Sequence, residues 1–557
     1  MFINFLITIS LYFLVIFSVI GYGHISCNVI FGKKNNLNFG YQGLFGILIL
    51  IFYSYLSHFF YSHNLIHNSF LIILGLFFYL IHKKKDLNEV IFILSIFLVL
   101  FISLIIFKTH DDFPYYHFSY SFYLTQNPMW IGIGQFNHGF RTPSSIFYLN
   151  SLFYLPLIKF YFFHLAAILI LGFTNIIFIK DIIQKIQTRN HDFISYFALL
   201  SILFINIFFY RISEHGTDRS AQILVFLLVF EILRFFVVGS NNKIQLSKIL
   251  LVISIIISFK AFYILYLMML IPVLLVLKKN NNLNKVFNLL FTNISSYMLV
   301  FIFFIILIIN FFNTGCLIYP ISLTCFEGLD WSIASIEVQK MNNWYEQWSK
   351  AGAGPNFRVN DPEKYILGFN WVDNWFNKYF FNKVSDFLVG IVFLIIIVTI
   401  IFFSKNKKKI SIDKNIYFLF TILLLLLFEW FYNHPSLRYG GYVLIATILF
   451  LPLSLYLSYF SLNPKRINTS FTVLIIFSFI IFLGRNISRI ENEITKYSYR
   501  PFLDNSFKIS DNHYKLQKNM NYLIDNYKRC NKEKKNCDNK LAIIVDKGLY
   551  TYIFKNK

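Results

Sequence analysis

Long apolar runs recur along the whole of this sequence, and they constrain its fold more than any other feature. LLVISIIIS (250–258), FLVGIVFLIIIVTIIFF (387–403) and FLFTILLLLLFEWF (418–431) are three of them. A helix needs about 20 mostly apolar residues to cross a bilayer core, so runs of this kind at regular intervals make the chain polytopic, not a soluble domain on one anchor. The composition agrees: 57% of residues are hydrophobic and 14% charged, against roughly 45–50% and 25% in soluble chains. Cytosolic enzyme classes are excluded. The net charge of +23 sits largely in short lysine clusters between spans, as the positive-inside rule requires, so no nucleic-acid partner is expected. The first run, 2–20, has no basic stretch before it and no small-residue cleavage site after it, and reads as a retained span.

Collecting the lysines on one side gives a single consistent topology. The loops with Lys33 and Lys34, Lys83 to Lys85, Lys180 to Arg189, Lys243 and Lys248, Lys278 to Lys285, Lys405 to Lys414, and Lys465 with Arg466 become cytoplasmic. Loops 108–157, 211–219, 312–386 and 431–440 then face out. Residues 249–277 are apolar but have a basic loop on each side and a lone Lys260 within. A single crossing there would invert everything downstream, whereas a re-entrant hairpin broken near Phe259 and Lys260, or two short full spans, preserves the pattern. The expected fold is an all-α polytopic membrane protein with about twelve transmembrane helices plus that hairpin. Residues 1–484 form the transmembrane domain. Residues 341–383, where Trp and Phe alternate with polar residues, suit helices lying along the outer interface. Residues 485–557 are expected to be a small α/β extracytoplasmic domain, because LAIIV, a DKG turn and LYTYIF have the pattern of a β-hairpin. Two cysteine pairs, Cys316 with Cys325 and Cys530 with Cys537, fall in outward segments and are expected disulfides, leaving Cys27. All seven tryptophans lie outward too, as interfacial anchors or as surfaces for a sugar ring. No P-loop, GxGxxG or zinc-ligand spacing is present, which argues against ATP-driven chemistry.

Charged residues in or beside spans are costly and mark function. The richest group opens the first large outer loop, where His110, Asp111, Asp112, Tyr115, Tyr116 and His117 fall within eight positions. An adjacent carboxylate pair can hold a divalent cation, or divide into a proton acceptor and an orienting group. The plainer reading is a helix cap ahead of Pro114, which uses only one carboxylate. The same loop carries His138 and Arg141 among glycines. The turn RISEHGTDR supplies Glu214, His215 and Asp218, unless these are spent on salt bridges to Arg211 and Arg219. NHPSLRYGGY supplies His434, Arg438 and Tyr439, and an arginine fork there suits a phosphate. Lys260, at a helix break inside the bilayer, suits a lipid-linked phosphate as well.

This assembly, with HDDFPYYH as its local motif, resembles the C-type superfamily of integral-membrane glycosyltransferases, which use polyprenyl-phosphate sugars on the outer face. The resemblance is architectural, and it extends to bacterial multipass membrane proteins of the same general layout. It implies a bacterial cytoplasmic (inner) membrane location with the active face outward, and transfer from a lipid-linked sugar donor to a cell-envelope glycan, lipid or protein. One of Asp111 and Asp112 would be the general base, and Lys260, Arg438 and Arg141 would hold the leaving phosphate. A polymerase or ligase acting on a lipid-linked glycan is the second reading and a transporter or flippase the third. For transport the sequence lacks the paired interrupted helices of inverted repeats.

Overall fold

The computed structural model describes residues 2–32, 37–81, 87–107, 112–188, 191–214, 216–239, 242–354, 359–407, 413–503, 543–547 and 550–554. Its helices, in chain order, are α1 Phe2–Phe31, α2 Phe39–His58, α3 Leu65–Ile81, α4 Leu87–Leu100, α5 Phe118–Gln126, α6 Ser145–Ser151, α7 Leu165–Thr188, α8 Phe193–Phe208, α9 Gly216–Val238 and α10 Lys243–Phe259. They continue as α11 Leu270–Asn280, α12 Leu283–Phe291, α13 Ile294–Thr314, α14 Ser335–Lys350, α15 Pro362–Ile366, α16 Val372–Trp375, α17 Ser385–Phe402, α18 Asn415–Asn433, α19 Gly441–Ser458 and α20 Pro464–Tyr497. Among the described residues, ten helical segments are long and apolar enough to cross a membrane, and three shorter apolar helices accompany them. The chain is therefore a predominantly helical multipass membrane protein.

Burial separates an inner ring from an outer one. The apolar windows of α2, α7 and α9 are 83–89% buried, whereas those of α13, α17, α18 and α20 are only 22–33% buried. On α17 the exposed side chains Val389, Phe393, Ile396 and Ile400 recur every three or four residues, forming a lipid-facing stripe. Inside a bundle where lipid is as apolar as leucine, association depends on close backbone approach and interhelical hydrogen bonds. Both are present. A Cβ on Gly23 of α1 or Gly46 of α2 would strike the backbone of the opposite helix, and the side chains of Asn175 (α7) and Asn206 (α8) donate to each other at 3.1 and 2.9 Å.

The helices sort their connections to two ends. At one end lie the lysine-bearing turns, tied together by Lys180 to Glu89 (3.2 Å), Lys185 to Asp192 (2.7 Å) and Arg466 to the Ile401 carbonyl (3.0 Å). The other end carries residues 112–164, 209–214, Lys260, the long segment between α13 and α17, and the turn 434–440. Lys260 is not half-way through the bundle, as a shallow re-entrant hairpin would place it. Helix α10 runs back along α9, and Lys260 emerges beside Asp218, in the first turn of that 23-residue helix.

Three further expectations are amended. The turn 211–219 is shorter than its charge pattern implies: α9 starts at Gly216, so Asp218 and Arg219 are helical. Helix α20 runs unbroken from Pro464 to Tyr497, across the expected boundary at 484/485; polarity changes there, but the secondary structure does not. In the long segment, helix begins at Ser335, and residues 372–402 are continuous helix leading into a span. The expected hairpin is present as β2 (Ile543–Lys547) antiparallel to β3 (Tyr550–Phe554), and β3 also pairs in parallel with β1 (Trp130–Ile131) in the first large loop. Cys316 and Cys325 are disulfide-bonded. Cys530 and Cys537 lie outside the described residues.

Candidate functional site

Four charged side chains from four separate segments meet at the end of the bundle that carries the long segment between α13 and α17. Arg438 is the centre: its Nη2 donates to Asp112 Oδ2 at 2.8 Å and its Nε donates to Asp218 Oδ2 at 3.1 Å. Lys260 Nζ forms an ion pair with the other oxygen of Asp218. Asp218 is thus held between two cations and is 2% exposed, while Asp112 is 25% exposed and meets the outer arm of Arg438.

Local sequence sets each of these positions. Asp218 lies in the first turn of α9, where unpaired backbone N–H groups favour a carboxylate. Lys260 adopts an extended backbone (φ −158°, ψ 150°) between α10 and a 3-10 segment, Ala261–Met269, so it projects at the break. Arg438 and Tyr439 occupy a one-turn 3-10 helix closed by Gly440 at φ 110°, a conformation that favours glycine, and a Cβ there would meet the Tyr266 hydroxyl at 2.6 Å. Asp112 precedes a π-helical turn, Phe113–His117, without making a side-chain capping bond. The capping reading of this carboxylate therefore does not apply. π-turns concentrate at functional positions.

A second layer fixes the first. Gln222, one turn along α9 from Asp218, donates to the Arg438 carbonyl (2.9 Å) and accepts from Val443 N (3.3 Å). The Tyr263 hydroxyl donates to the Asp218 carbonyl at 3.2 Å. Aromatic rings floor the cations: the Arg438 guanidinium stands 5.6 Å from the ring centres of Trp348 and Tyr439, and Lys260 Nζ 5.9 Å from Tyr439. His434 stands edge-on to Phe262 and Tyr439.

The electrostatics follow. Burial alone would lower the Arg438 guanidinium, but Asp218 and Asp112 outweigh it and hold the group well above its ordinary value. Burial pushes the Tyr439 phenol up to about 12 against the opposing pull of Arg438. Burial, then Lys350, pushes His434 down to about 4, so its ring is neutral at pH 7.

Other candidates fall elsewhere. Glu214 is fully buried but turns away, accepting from Arg211 and from Arg489 of α20, which also pairs with Glu493. Arg141 is engaged by Glu337 (2.8 Å) and the Gly134 carbonyl (3.0 Å), in a separate ion pair on the same end of the bundle. His117 packs among Phe113, Tyr116 and Phe147, and His138 is exposed in a short 3-10 turn. His110, Asp111 and His215 lie outside the described residues. Among the described residues no group of three His, Cys, Asp or Glu side chains stands close enough to hold a metal ion, and Asp112 and Asp218 are bridged by a guanidinium. Asp111, the other half of the pair considered for a divalent cation, lies outside the described residues. Gln222, Tyr263 and Trp348 were not singled out from sequence as site residues. A lone polar side chain one helical turn from Asp218 was the available signal for Gln222.

No curated protein and no solved structure matches this chain. One family matches residues 4–445, a stretch that contains Asp112, Asp218, Lys260 and Arg438 together with Gln222, Tyr263, Trp348 and Tyr439, and leaves out α20 and the terminal hairpin. With most of its length covered, the chain belongs to the family described as Domain of unknown function (DUF8201).

Proposed function

We propose that this protein is a membrane glycosyltransferase that takes a sugar from a polyprenyl-phosphate donor and passes it to a cell-envelope acceptor. The observation that carries the reading is the nested ion network, two cations facing two carboxylates of very unequal burial. Asp218 is the permanent counter-ion. Asp112 stands where a lipid phosphate would sit on Arg438. A bound phosphate monoester takes over the outer arm of the guanidinium, whose planar fork suits paired phosphate contacts, and releases the Asp112 carboxylate beside it. That carboxylate then accepts the proton of the acceptor hydroxyl as its oxygen bonds to the anomeric carbon. The bond from that carbon to the phosphate oxygen breaks, and the departing phosphate is held by Arg438 and Lys260. Trp348 and Tyr439 offer ring faces for the sugar. The segment between α13 and α17 and the terminal hairpin would bind the acceptor.

In this reading the basic end is cytoplasmic and the Arg438 end faces outward across a bacterial inner membrane. The spans number twelve, plus the pair formed by α10 and residues 261–280. A polymerase or ligase would use the same cations on a lipid diphosphate, so the donor's phosphate count separates the two.

The test uses purified protein in proteoliposomes with polyprenyl monophosphate as the binding probe and radiolabelled polyprenyl-phosphate sugars as donors. Arg438→Gln is expected to abolish stabilisation by polyprenyl monophosphate, and Asp112→Asn to keep that binding while losing transfer. Asp112→Asn and Asp111→Asn variants that both transfer at the wild-type rate would remove the acidic pair from catalysis.

A further inference from the structure

A second charged site lies at the opposite end of the same helices. Asp218 and Arg234 are sixteen residues apart on α9, about 24 Å at a rise of about 1.5 Å per residue. Around Arg234, between α2, α7, α9 and α10, is a cavity of about 320 Å³ lined by Lys180, Arg234 and Lys248 with one carboxylate, Asp181. A second cavity of about 300 Å³ shares Asp181, Gln184 and Arg234 with it. Such volumes are at the lower end of small-molecule sites, roughly 300–1,000 Å³.

The cations differ in what holds them. Lys180 pairs with Glu89 and Arg234 with Asp181, at 3.2 and 3.3 Å. Lys248 is 6% exposed, yet its Nζ makes neither a hydrogen bond nor an ion pair with any described residue and rests 4.0 Å above the centre of the Tyr41 ring. The nearby Glu231 is committed elsewhere, accepting from the Tyr41 hydroxyl and from Gln245 Nε2. Glu231 and Asp181 act on this buried ammonium through space but neither bonds to it, so a ring face and the cavity are its direct surroundings, an arrangement that a bound anion completes.

We propose that this cavity binds a phosphate ester anion, with Lys248 as the ligand-facing cation and Lys180 and Arg234 flanking it. Its position at the ends of membrane-crossing helices, with Leu37, Ile177 and Ile183 among its walls, favours the headgroup of a phospholipid over a soluble phosphate. This site is separate from the Arg438 network and does not depend on the transferase reading.

The experiment is thermal unfolding of the delipidated full-length protein in detergent, titrated with short-chain phosphatidylglycerol, with inorganic phosphate, and with chloride at matched ionic strength. Saturable stabilisation by a phosphate-bearing probe beyond chloride is expected: by the lipid alone if the site takes a headgroup, by both if it takes soluble phosphate. Lys248→Met is expected to weaken the apparent affinity at least about tenfold, the loss of one hydrogen bond to a charged group. Lys180→Gln, at a partly exposed side chain, should act in the same direction and serves if Lys248→Met does not fold. The proposal is overturned if no phosphate-bearing probe exceeds chloride, if both lysine variants titrate as wild type, or if only Arg438→Gln removes the effect.

Discussion

Replacing each carboxylate of the ion network by its amide should separate folding from chemistry. Asp218 is buried and accepts from Lys260 and, at 3.1 Å, from Arg438. At an effective dielectric of about 20, a unit charge pair at that separation attracts by about 5 kcal/mol before desolvation is subtracted. Removing one partner of a buried pair costs about 3–5 kcal/mol, because the orphaned charge stays buried. Asp218→Asn leaves two cations facing one amide oxygen that can accept one of the lost bonds, so a loss near about 3 kcal/mol is expected. Asp112 and Arg438 are each about one-quarter exposed and Arg438 keeps Asp218, so Asp112→Asn should cost about 1 kcal/mol or less. The assay is denaturant unfolding in mixed micelles followed by Trp fluorescence, run beside donor binding and sugar transfer. Asp218→Asn should fail in stability and function together, Asp112→Asn in transfer alone. Equal losses of stability in the two variants would refute the nested arrangement. A fully stable Asp218→Asn protein would show that its two cations are not buried against it.

Other expectations follow from the same turn and its surroundings. His434 stays neutral down to about pH 4 when folded, below its ordinary value of about 6.5. The unfolded chain therefore binds the extra proton first, and stability should decline as pH falls from about 6.5 to about 4, by at most about 1.4 kcal/mol per pH unit; His434→Gln should flatten that slope, and an unchanged slope would assign it to another group. Gly440→Ala is expected to destabilise by about 1–2 kcal/mol or more, since φ is 110° and its Cβ would crowd Tyr266, and to weaken phosphate binding by displacing Arg438; normal unfolding and binding would contradict this. Opening the Cys316–Cys325 bond in a Cys316→Ser, Cys325→Ser variant, with nine residues of separation, should cost about 2.5–3 kcal/mol on the loop-entropy estimate. The loss should appear as protease sensitivity between α13 and α14, and unaltered cleavage would show that packing alone holds the loop.

The sequence carried the helical membrane class and most of the central network, for one physical reason. A charge beside an apolar span is expensive, so Asp218, Lys260 and Arg438 stood out without any three-dimensional information. Position within the turn was harder. Glu214 and Asp218 are four residues apart and chemically alike, yet the helix begins at Gly216 between them. That start sends Asp218 to Lys260, while Glu214 meets an arginine from α20 some 270 residues further on. No local pattern encodes that choice, nor the Arg141 to Glu337 pair that removes Arg141 from the network. The terminal hairpin was readable because its register is local. Its parallel pairing with Trp130 and Ile131 spans more than 400 residues and was not. The extent of the α10 segment was ambiguous because 249–277 is too short for two ideal spans and too long for one. Only the meeting of Lys260 with the start of α9 shows that α10 runs the length of its neighbour.

Charge clusters at both ends of α9 and α10 invite comparison with the two mouths of a transport path, and the stretch between them bears on that. Residues 223–230 of α9 and 249–257 of α10 are apolar except for Ser254 and have almost no accessible surface. Ser254 is turned back to the Leu250 carbonyl, and Gln222 is held by Arg438 and Val443. A polar solute moving between the clusters would shed its hydration against close-packed side chains with no partner to replace it. The proposed transfer chemistry at one end would place a different demand on the structure, a sideways supply of substrate from the membrane. The segment that leads away from Lys260 is suited to that: from Ala261 to Asn280 it keeps Ile271, Leu274 and Leu275 about 40% exposed while its first residue adjoins the buried ion pair. An apolar tail lying along this segment would bring its phosphate to Lys260 and Arg438 without crossing the bundle, which is the geometry a lipid-linked donor requires and a water-soluble one does not.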